Sequence, residues 1–551
     1  MTNVHIVNHT HWDREWYFTS MDSLVLSDQL FSDVIEELKM NKEATFVLDG
    51  QISILDDYLE LYPEKLEVIK ELVANHQLFI GPWFTQTDAF FASGESILRN
   101  AMIGIFESKK YGEYLPIAYL PDTFGFNAQI PVILNEAGFE SVIMWRGLNL
   151  NKHVSSPYFK WDSLNGKHSL TTINFPQGYG TGMLLEPTTD YVDGRLDKAV
   201  DFLKQYTDGD VIIPSGNDQL GIISNLAEKI EQINDLGKYD YQMSTYQDFI
   251  TYVNEQELEH YSGEFREPVL ARVHKTVGSV RMDLKKEIFH LEDKLTYRIE
   301  PMMVIGKKLG IDLSNRLLLK AWKKLLESQA HDSLAGCVSD SVAIDIKHRL
   351  KEANEICDSI ENIIMKRISE ALNLTQNQVL VLNTSLNSFT GKKEIKILSA
   401  TPFVKFEGHE SYITESQFVP SREDVLEETP SGNRFITEPG YYILTIEVAC
   451  DIKGLGYTVL TFEESNEDNS LIDSQETSIG TEGLKITYEL NQVNLHINGK
   501  KISNFLSIED EGNTGDTYDF SPLSTVKPIE CKFNECSVSK NEFQQKMVLK
   551  G

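Results

Sequence analysis

Val4-His5-Ile6-Val7-Asn8-His9-Thr10-His11-Trp12-Asp13 runs from an apolar stretch directly into histidines and a carboxylate. A short apolar run of this kind reads as a buried strand, and its polar end reads as a functional edge. Five further segments repeat the pattern. Thr45–Leu48 leads into Asp49-Gly50-Gln51, Gln77–Ile80 into Gly81-Pro82-Trp83, and Ile117–Leu120 into Pro121-Asp122-Thr123-Phe124-Gly125-Phe126. Ser141–Trp145 leads into Arg146, and Val211–Pro214 into Ser215-Gly216-Asn217-Asp218. Between them, Ser23–Met40, Pro63–Asn75 and Glu95–Lys109 carry apolar residues at helical spacing. Strands alternating with helices predict βαβ units and a parallel-sheet α/β domain. Ligands of such sheets bind outside the carboxyl ends of the strands, so a polar, aromatic-lined cleft is expected there.

Downstream the texture changes twice. Lys285–Leu372 is rich in long amphipathic helical patterns, including Arg316–Gln329 and Val342–Ile368, and predicts a three-helix bundle. From Thr375 onward the pattern alternates as β sequence: Val379–Leu382, Glu394–Leu398, Tyr441–Val448, Tyr457–Phe462, Leu484–Leu490 and Val493–Ile497, with a turn at Asn498-Gly499. This predicts an antiparallel β-sandwich. Glu463–Thr481, acidic and polar, reads as a surface loop. The expected division is an α/β catalytic domain over 1–270, a helical bundle over 271–374, and a β-sandwich region over 375–551. The last of these reads as incomplete, since the chain stops at Lys550-Gly551 inside it.

A chain of 551 residues is expected to hold more than one core. Its 83 acidic against 51 basic residues leave a formal net charge of -32. Phosphate backbones and anionic lipid surfaces are poor partners for such a chain, so neither nucleic acid nor membrane is expected. The first residues lack a basic segment followed by an apolar one, and no apolar run approaches the ~18 residues of a membrane span. The cysteines Cys337, Cys357, Cys450, Cys531 and Cys536 are few, scattered and odd in number, which argues for a reducing, cytoplasmic setting.

The chemistry-bearing residues each have a bland reading. His11-x-Asp13 after a strand offers imidazole nitrogen and carboxylate oxygen to a borderline cation such as zinc, but alone it is more often a polar turn. Asp122 on a Pro/Gly turn is either a helix cap or a rigid carboxylate facing the cleft. Asp218 reads by itself as a helix N-cap, yet two carboxylates flanking a glycosidic bond are the minimum for hydrolysing it. In Gln329-Ala330-His331-Asp332-Ser333 a histidine at a helix end is more often a cap than a ligand.

Taken in order, these motifs resemble glycoside hydrolase family 38, the zinc-dependent retaining α-mannosidases. His-x-Asp matches the family's early ligand pair, Asp122-Thr123-Phe124-Gly125-Phe126 its D-P-F-G-H element, Gly216-Asn217-Asp218 its acid/base element, and Gln329–Ser333 its H-H-D-A motif. The likeness is strong over about residues 3–375 and weaker through Ile508–Gly512 to Gly515–Tyr518. It implies one zinc ion per chain on His11, Asp13, Asp122 and His331, with Asp122 also the nucleophile and Asp218 the general acid/base. It implies that Trp16 stacks under the sugar, that Arg146 keeps Asp122 ionised, and that zinc's open positions take two mannose hydroxyls. Trp83 and Asp88, on another strand-end loop, are expected near the sugar. Asp218 would have to hold its proton near neutrality, about 5–5.5 Å from Asp122, as in retaining glycosidases.

Thr123, Phe126 and Ala330 depart from the family's residues without touching the implied ligands, and they leave substrate choice open. An α-linked manno-oligosaccharide and α-mannosylglycerate are both compatible, and no arginine or lysine can be assigned to the latter's carboxylate. Two rivals remain. A metal-dependent sugar deacetylase needs neither His331 nor Asp122 as ligands, and a truncated, non-catalytic sugar-binding protein would bind without turnover. The oligomeric state is left open, a homodimer included.

Overall fold

The opening strand β1 (Asn3–Thr10) is buried along nearly all its length because it has neighbours on both sides. The computed structural model describes residues 2–551 except Asn469 and Phe543. Val4–Asn8 pair in parallel with β8 (Val211–Ser215), Asn3–Ile6 with β9 (Asp240–Met243), and His9 and Thr10 with β2 (Phe46–Leu48), which continues to β3 (Leu78–Phe79). Successive side chains enter different cores, as a strand covered on both faces requires. Val4, Ile6, Val211 and Ile213 pack with Leu196 and Val200, whereas Val7 and Ile212 join Val47, Ile143 and Phe249.

A second sheet orders β10 (His260–Ser262), β6 (Tyr158–Asp162), β7 (Ser169–Asn174), β5 (Ser141–Met144) and β4 (Ala118–Leu120). Every pair in the two sheets is parallel except β6·β7. All six expected strands are present. The others, β6, β7, β9 and β10, escape the sequence pattern because they mix polar residues into short runs and gain their ladders from partners distant in the chain. At the carboxyl ends, isolated parallel bridges join His11 to Asp218 and Gln51 to Trp83, so the strand-end loops converge on one edge.

The helical middle region comprises Met282–Lys308, interrupted by a π turn at Leu295–Ile299, then Asn315–Ser328, the short His331–Ala335 and the long Asp340–Ala371. The molecule divides into two compact units: Met1–Asp293 with Asn315–Cys357 and Gly515–Phe520, and Lys294–Ser314 with Asp358–Thr514 and Ser521–Gly551. Among the described residues, no helix is long and apolar enough to cross a membrane.

In the second unit, Phe389–Ser399, Tyr441–Ile452 and Ser411–Val419 form one antiparallel sheet, and Gln378–Leu382, Tyr457–Ser465 and Phe403–Phe406 form another. Ile395, Leu444 and Ile446 of the first share a core with Val404, Phe406 and Leu460 of the second, as in a sandwich. The reading of Glu463–Thr481 as a loop needs correction. Ile472–Ser474 pairs with Glu535–Lys540 and Ser478–Gly480 pairs with Leu484–Glu489, so backbone pairing builds strands that side-chain hydrophobicity does not announce.

Candidate active site

His11 and Asp13 sit just past the end of β1, where several side chains clamp the turn. The Asp13 N–H donates to Gln219 Oε1 (3.1 Å), Gln219 Nε2 donates to the Asp13 carbonyl (3.0 Å), and Gln51 Nε2 donates to the Trp12 carbonyl (2.7 Å). His11 Nδ1 lies 2.9 Å from Asp49 Oδ1, a carboxylate–imidazole contact that fixes the ring and leaves Nε2 facing Asp13. His331 arrives from the helical region, its N–H bonded to the Gln86 carbonyl (2.9 Å). His11 Nε2 is 3.2 Å from Asp13 Oδ1, and His331 Nε2 is 3.6 Å from that oxygen and 3.4 Å from Asp122 Oδ2.

One donor atom from each of His11, Asp13 and His331 falls within 4.8 Å of the others. His11 Nε2, Asp13 Oδ1 and His331 Nε2 are all buried without a hydrogen-bond partner. Leaving three buried polar atoms unsatisfied at one point is costly, and a bound cation removes that cost. Two imidazoles and carboxylate oxygens form a donor set suited to zinc. The electrostatics agree. Burial disfavours the charged imidazole of His11, but Asp49 and Asp13 overcome it and raise its proton affinity well above the ordinary value. Burial opposed by Asp332 and the neighbouring carboxylates likewise leaves His331 at about 9. The site attracts positive charge.

Asp122 follows β4. Arg146, at the end of β5, donates from Nε to Asp122 Oδ1 (2.8 Å) and to the Asp122 carbonyl (3.1 Å), with Nη2 2.5 Å from Oδ1. The guanidinium lies 4.2 Å over the Trp145 ring. Burial pushes the Asp122 carboxyl up, and Arg146 more than offsets this, holding it well below the usual carboxylate range. Asp218, past β8, accepts from the Tyr179 hydroxyl through Oδ1 (2.6 Å). Trp16 Nε1 donates to the Tyr518 hydroxyl (2.5 Å), bringing the distant Gly515–Phe520 segment to the same wall.

These groups surround a cavity of about 230 Å³ lined by Asp13, Trp16, Asp122, Arg146, Asp218 and Arg272, among others. Drug-sized ligands take pockets above ~300 Å³, so this one suits a single sugar ring. The chain therefore gathers His11, Asp13, Asp122, His331, Asp218, Trp16 and Arg146. It does not gather Trp83 or Asp88. Trp83 is fully buried in the core beside Phe139, and Asp88 Oδ1 accepts the N–H groups of Phe90, Phe91 and Ala92 within its own loop. Their strand-end position points inward, under the sheet edge rather than into the cleft. Sequence reasoning missed Asp49, Tyr179 and Arg272. Asp49 alone carried a signal, as a carboxylate directly after an apolar strand.

The chain resembles known proteins in sequence and in fold. The profile described as the glycosyl hydrolases family 38 N-terminal domain matches residues 1–268, and that of the alpha mannosidase middle domain matches 272–368. The "Putative mannosylglycerate hydrolase" of Halalkalibacterium halodurans is 28% identical over 420 residues, spanning 71% of this chain and 46% of that protein. Alpha-mannosidase G of Dictyostelium discoideum is 23% identical over 98% of this chain and 51% of its own length. The chain thus spans about half the length of the curated relatives it matches. The crystal structure of an alpha-mannosidase from Enterococcus faecalis V583 superposes with a TM-score of 0.83 at 22% identity, covering 99% of this chain and 66% of that one, and shares the fold.

Proposed function

The chain belongs to glycosyl hydrolase family 38, and from that premise we propose that it is a retaining α-mannosidase removing terminal α-linked mannose. One observation carries the proposal: three orphaned buried donors converge beside a carboxylate held ionised by an arginine, with a second carboxylate on the same cavity wall.

His11, Asp13, Asp122 and His331 would hold one zinc ion, whose Lewis acidity would polarise the sugar's hydroxyls. The chain's own groups do the rest. Arg146 keeps Asp122 ionised and orients its carboxylate through Oδ1. Asp122 forms a bond to that carbon as the glycosidic C–O bond breaks, and Asp218 gives its proton to the departing oxygen. Tyr179 occupies Asp218 Oδ1, leaving Oδ2 to carry that proton. Asp218, now ionised, takes a proton from water, which attacks the same carbon and releases mannose with retained configuration and a free Asp122 carboxylate. Trp16 offers an apolar face to the ring. A deacetylase would use neither Asp122 nor His331 in this way.

Release of the aryl alcohol from an aryl α-mannoside tests the reading. Activity lost to a chelator and restored by zinc is expected; a folded, zinc-loaded chain with no turnover would overturn it. A second substrate reading, α-mannosylglycerate, is favoured by Arg272. Arg272 lines the cavity, its side chain is 77% exposed, and its guanidinium lies 3.6 Å from Asp519. Arg272→Leu is then expected to lower kcat/KM several-fold for mannosylglycerate but not for mannosylglycerol, an exposed charge pair being worth ~0.2–1 kcal/mol. Equal losses on both substrates would exclude it.

A further inference from the structure

Glu15 is a buried carboxylate, only 4% exposed, with no part in the chemistry above. Its Oε1 accepts from the Ser333 hydroxyl (2.7 Å) and from Arg349 Nη2, and its Oε2 accepts from Arg349 Nη1 (2.7 Å). Glu15 lies two residues beyond Asp13, and Ser333 lies two residues beyond His331. One carboxylate therefore bridges the two polypeptide segments that supply cation donors, one following β1 and the other in the helical region.

The residues on either side strengthen the bridge. Arg14 forms a fork on Asp57 and reaches Glu327 (3.2 Å) on the Asn315–Ser328 helix, and the Trp16 carbonyl accepts the Ser339 N–H (3.0 Å). Arg349 projects from the Asp340–Ala371 helix. Its fork onto Glu15 fixes direction as well as distance, which a flexible lysine could not do. Isolated buried ion pairs contribute little to net stability but can specify one arrangement. Here the specified arrangement is the approach of His331 Nε2 to Asp13 Oδ1.

We propose that Glu15, through Ser333 and Arg349, is a positioning residue that sets the separation of His331 and Asp13 and thereby the affinity of the site for its cation. The proposal rests on the cation-site reading above. Donor positions must hold to within ~0.5 Å for a metal site to work, and losing a group that orients a ligand typically costs ~10–100-fold in metal affinity.

The test measures zinc affinity of the full chain by competition with a chromophoric chelator, the visible spectrum of the cobalt(II)-loaded protein, and the melting temperature of the metal-free protein. Ser333→Ala deletes one hydroxyl and leaves the ion pair in place. It is expected to weaken zinc at least ~10-fold and to alter the cobalt spectrum, with the metal-free melting temperature nearly unchanged. Arg349→Lys keeps the buried charge but loses the fork, and is expected to weaken zinc by at least as much. Zinc affinity within twofold of the parent in both variants would overturn the positioning role while leaving the cation site standing. A parent chain that binds no zinc would sink both.

Discussion

Asp122 and Asp218 occupy equivalent strand ends yet have opposite surroundings: an arginine fork on the first, a tyrosine hydroxyl on the second. In the proposed mechanism that asymmetry separates nucleophile from acid, and each assignment has its own signature. Asp122→Asn preserves shape but removes the attacking charge, and kcat on an aryl α-mannoside is expected to fall ~10⁴-fold, as when a charged member of a catalytic set is lost. Asp218→Asn should lower kcat/KM by ~10²–10⁴ for a poor leaving group such as methanol. With dinitrophenolate, which leaves without a proton, kcat/KM should stay near the parent's. A uniform loss across leaving groups would deny Asp218 the acid role. At this scale, His11, Asp13 and Asp122 stood out as polar residues at strand ends, each with a bland reading of its own, and only the ordered set of motifs and the family it resembles gave them a joint role. Tyr179 and Glu15 were not, because their partners Asp218 and Ser333 lie far along the chain.

Strands and helices place these residues by close approach of backbones. Gly216 precedes the Asn217-Asp218 turn where β8 passes β1, and a Cβ there would fall 1.9 Å from the His9 carbonyl oxygen. Gly216→Ala must push the two strand ends apart. It is expected to cost ~1–3 kcal/mol of stability and to lower activity by displacing Asp218, read by thermal denaturation and by kcat; an unchanged melting temperature would contradict the packing argument. Trp83 shows the converse. Trp83→Phe should lower the melting temperature while leaving KM within twofold, because the ring fills the core beside Phe139 and does not reach the cleft. A large rise in KM would restore its expected sugar contact. The long, strongly periodic elements were legible at this scale. The polar strands β9 and β10 were not, since their ladders come from pairing rather than from side-chain pattern.

For the molecule as a whole, the site's excess of carboxylates and its orphaned donors tie metal binding to folding. Zinc that binds the folded chain alone stabilises it by ~2.7 kcal/mol at a hundredfold excess over its dissociation constant. Chelation is therefore expected to lower the melting temperature of the first unit, and zinc add-back to restore it. Calorimetry showing no metal-dependent shift would count against a resident cation. The order of local patterns along the chain determined the parallel α/β part, the helical middle region and the antiparallel β part, while the resemblance of the ordered motifs to a known family singled out His11, Asp13, Asp122, Asp218 and His331. Periodicity and strand-end chemistry are local properties, readable within a few residues. Only the tertiary structure decided that His331 meets Asp13, that Glu15 bridges to Ser333, that Tyr518 joins Trp16, and that Trp83 turns into the core. Those contacts join segments up to 502 residues apart, and no local pattern of residues encodes which distant surfaces pack together.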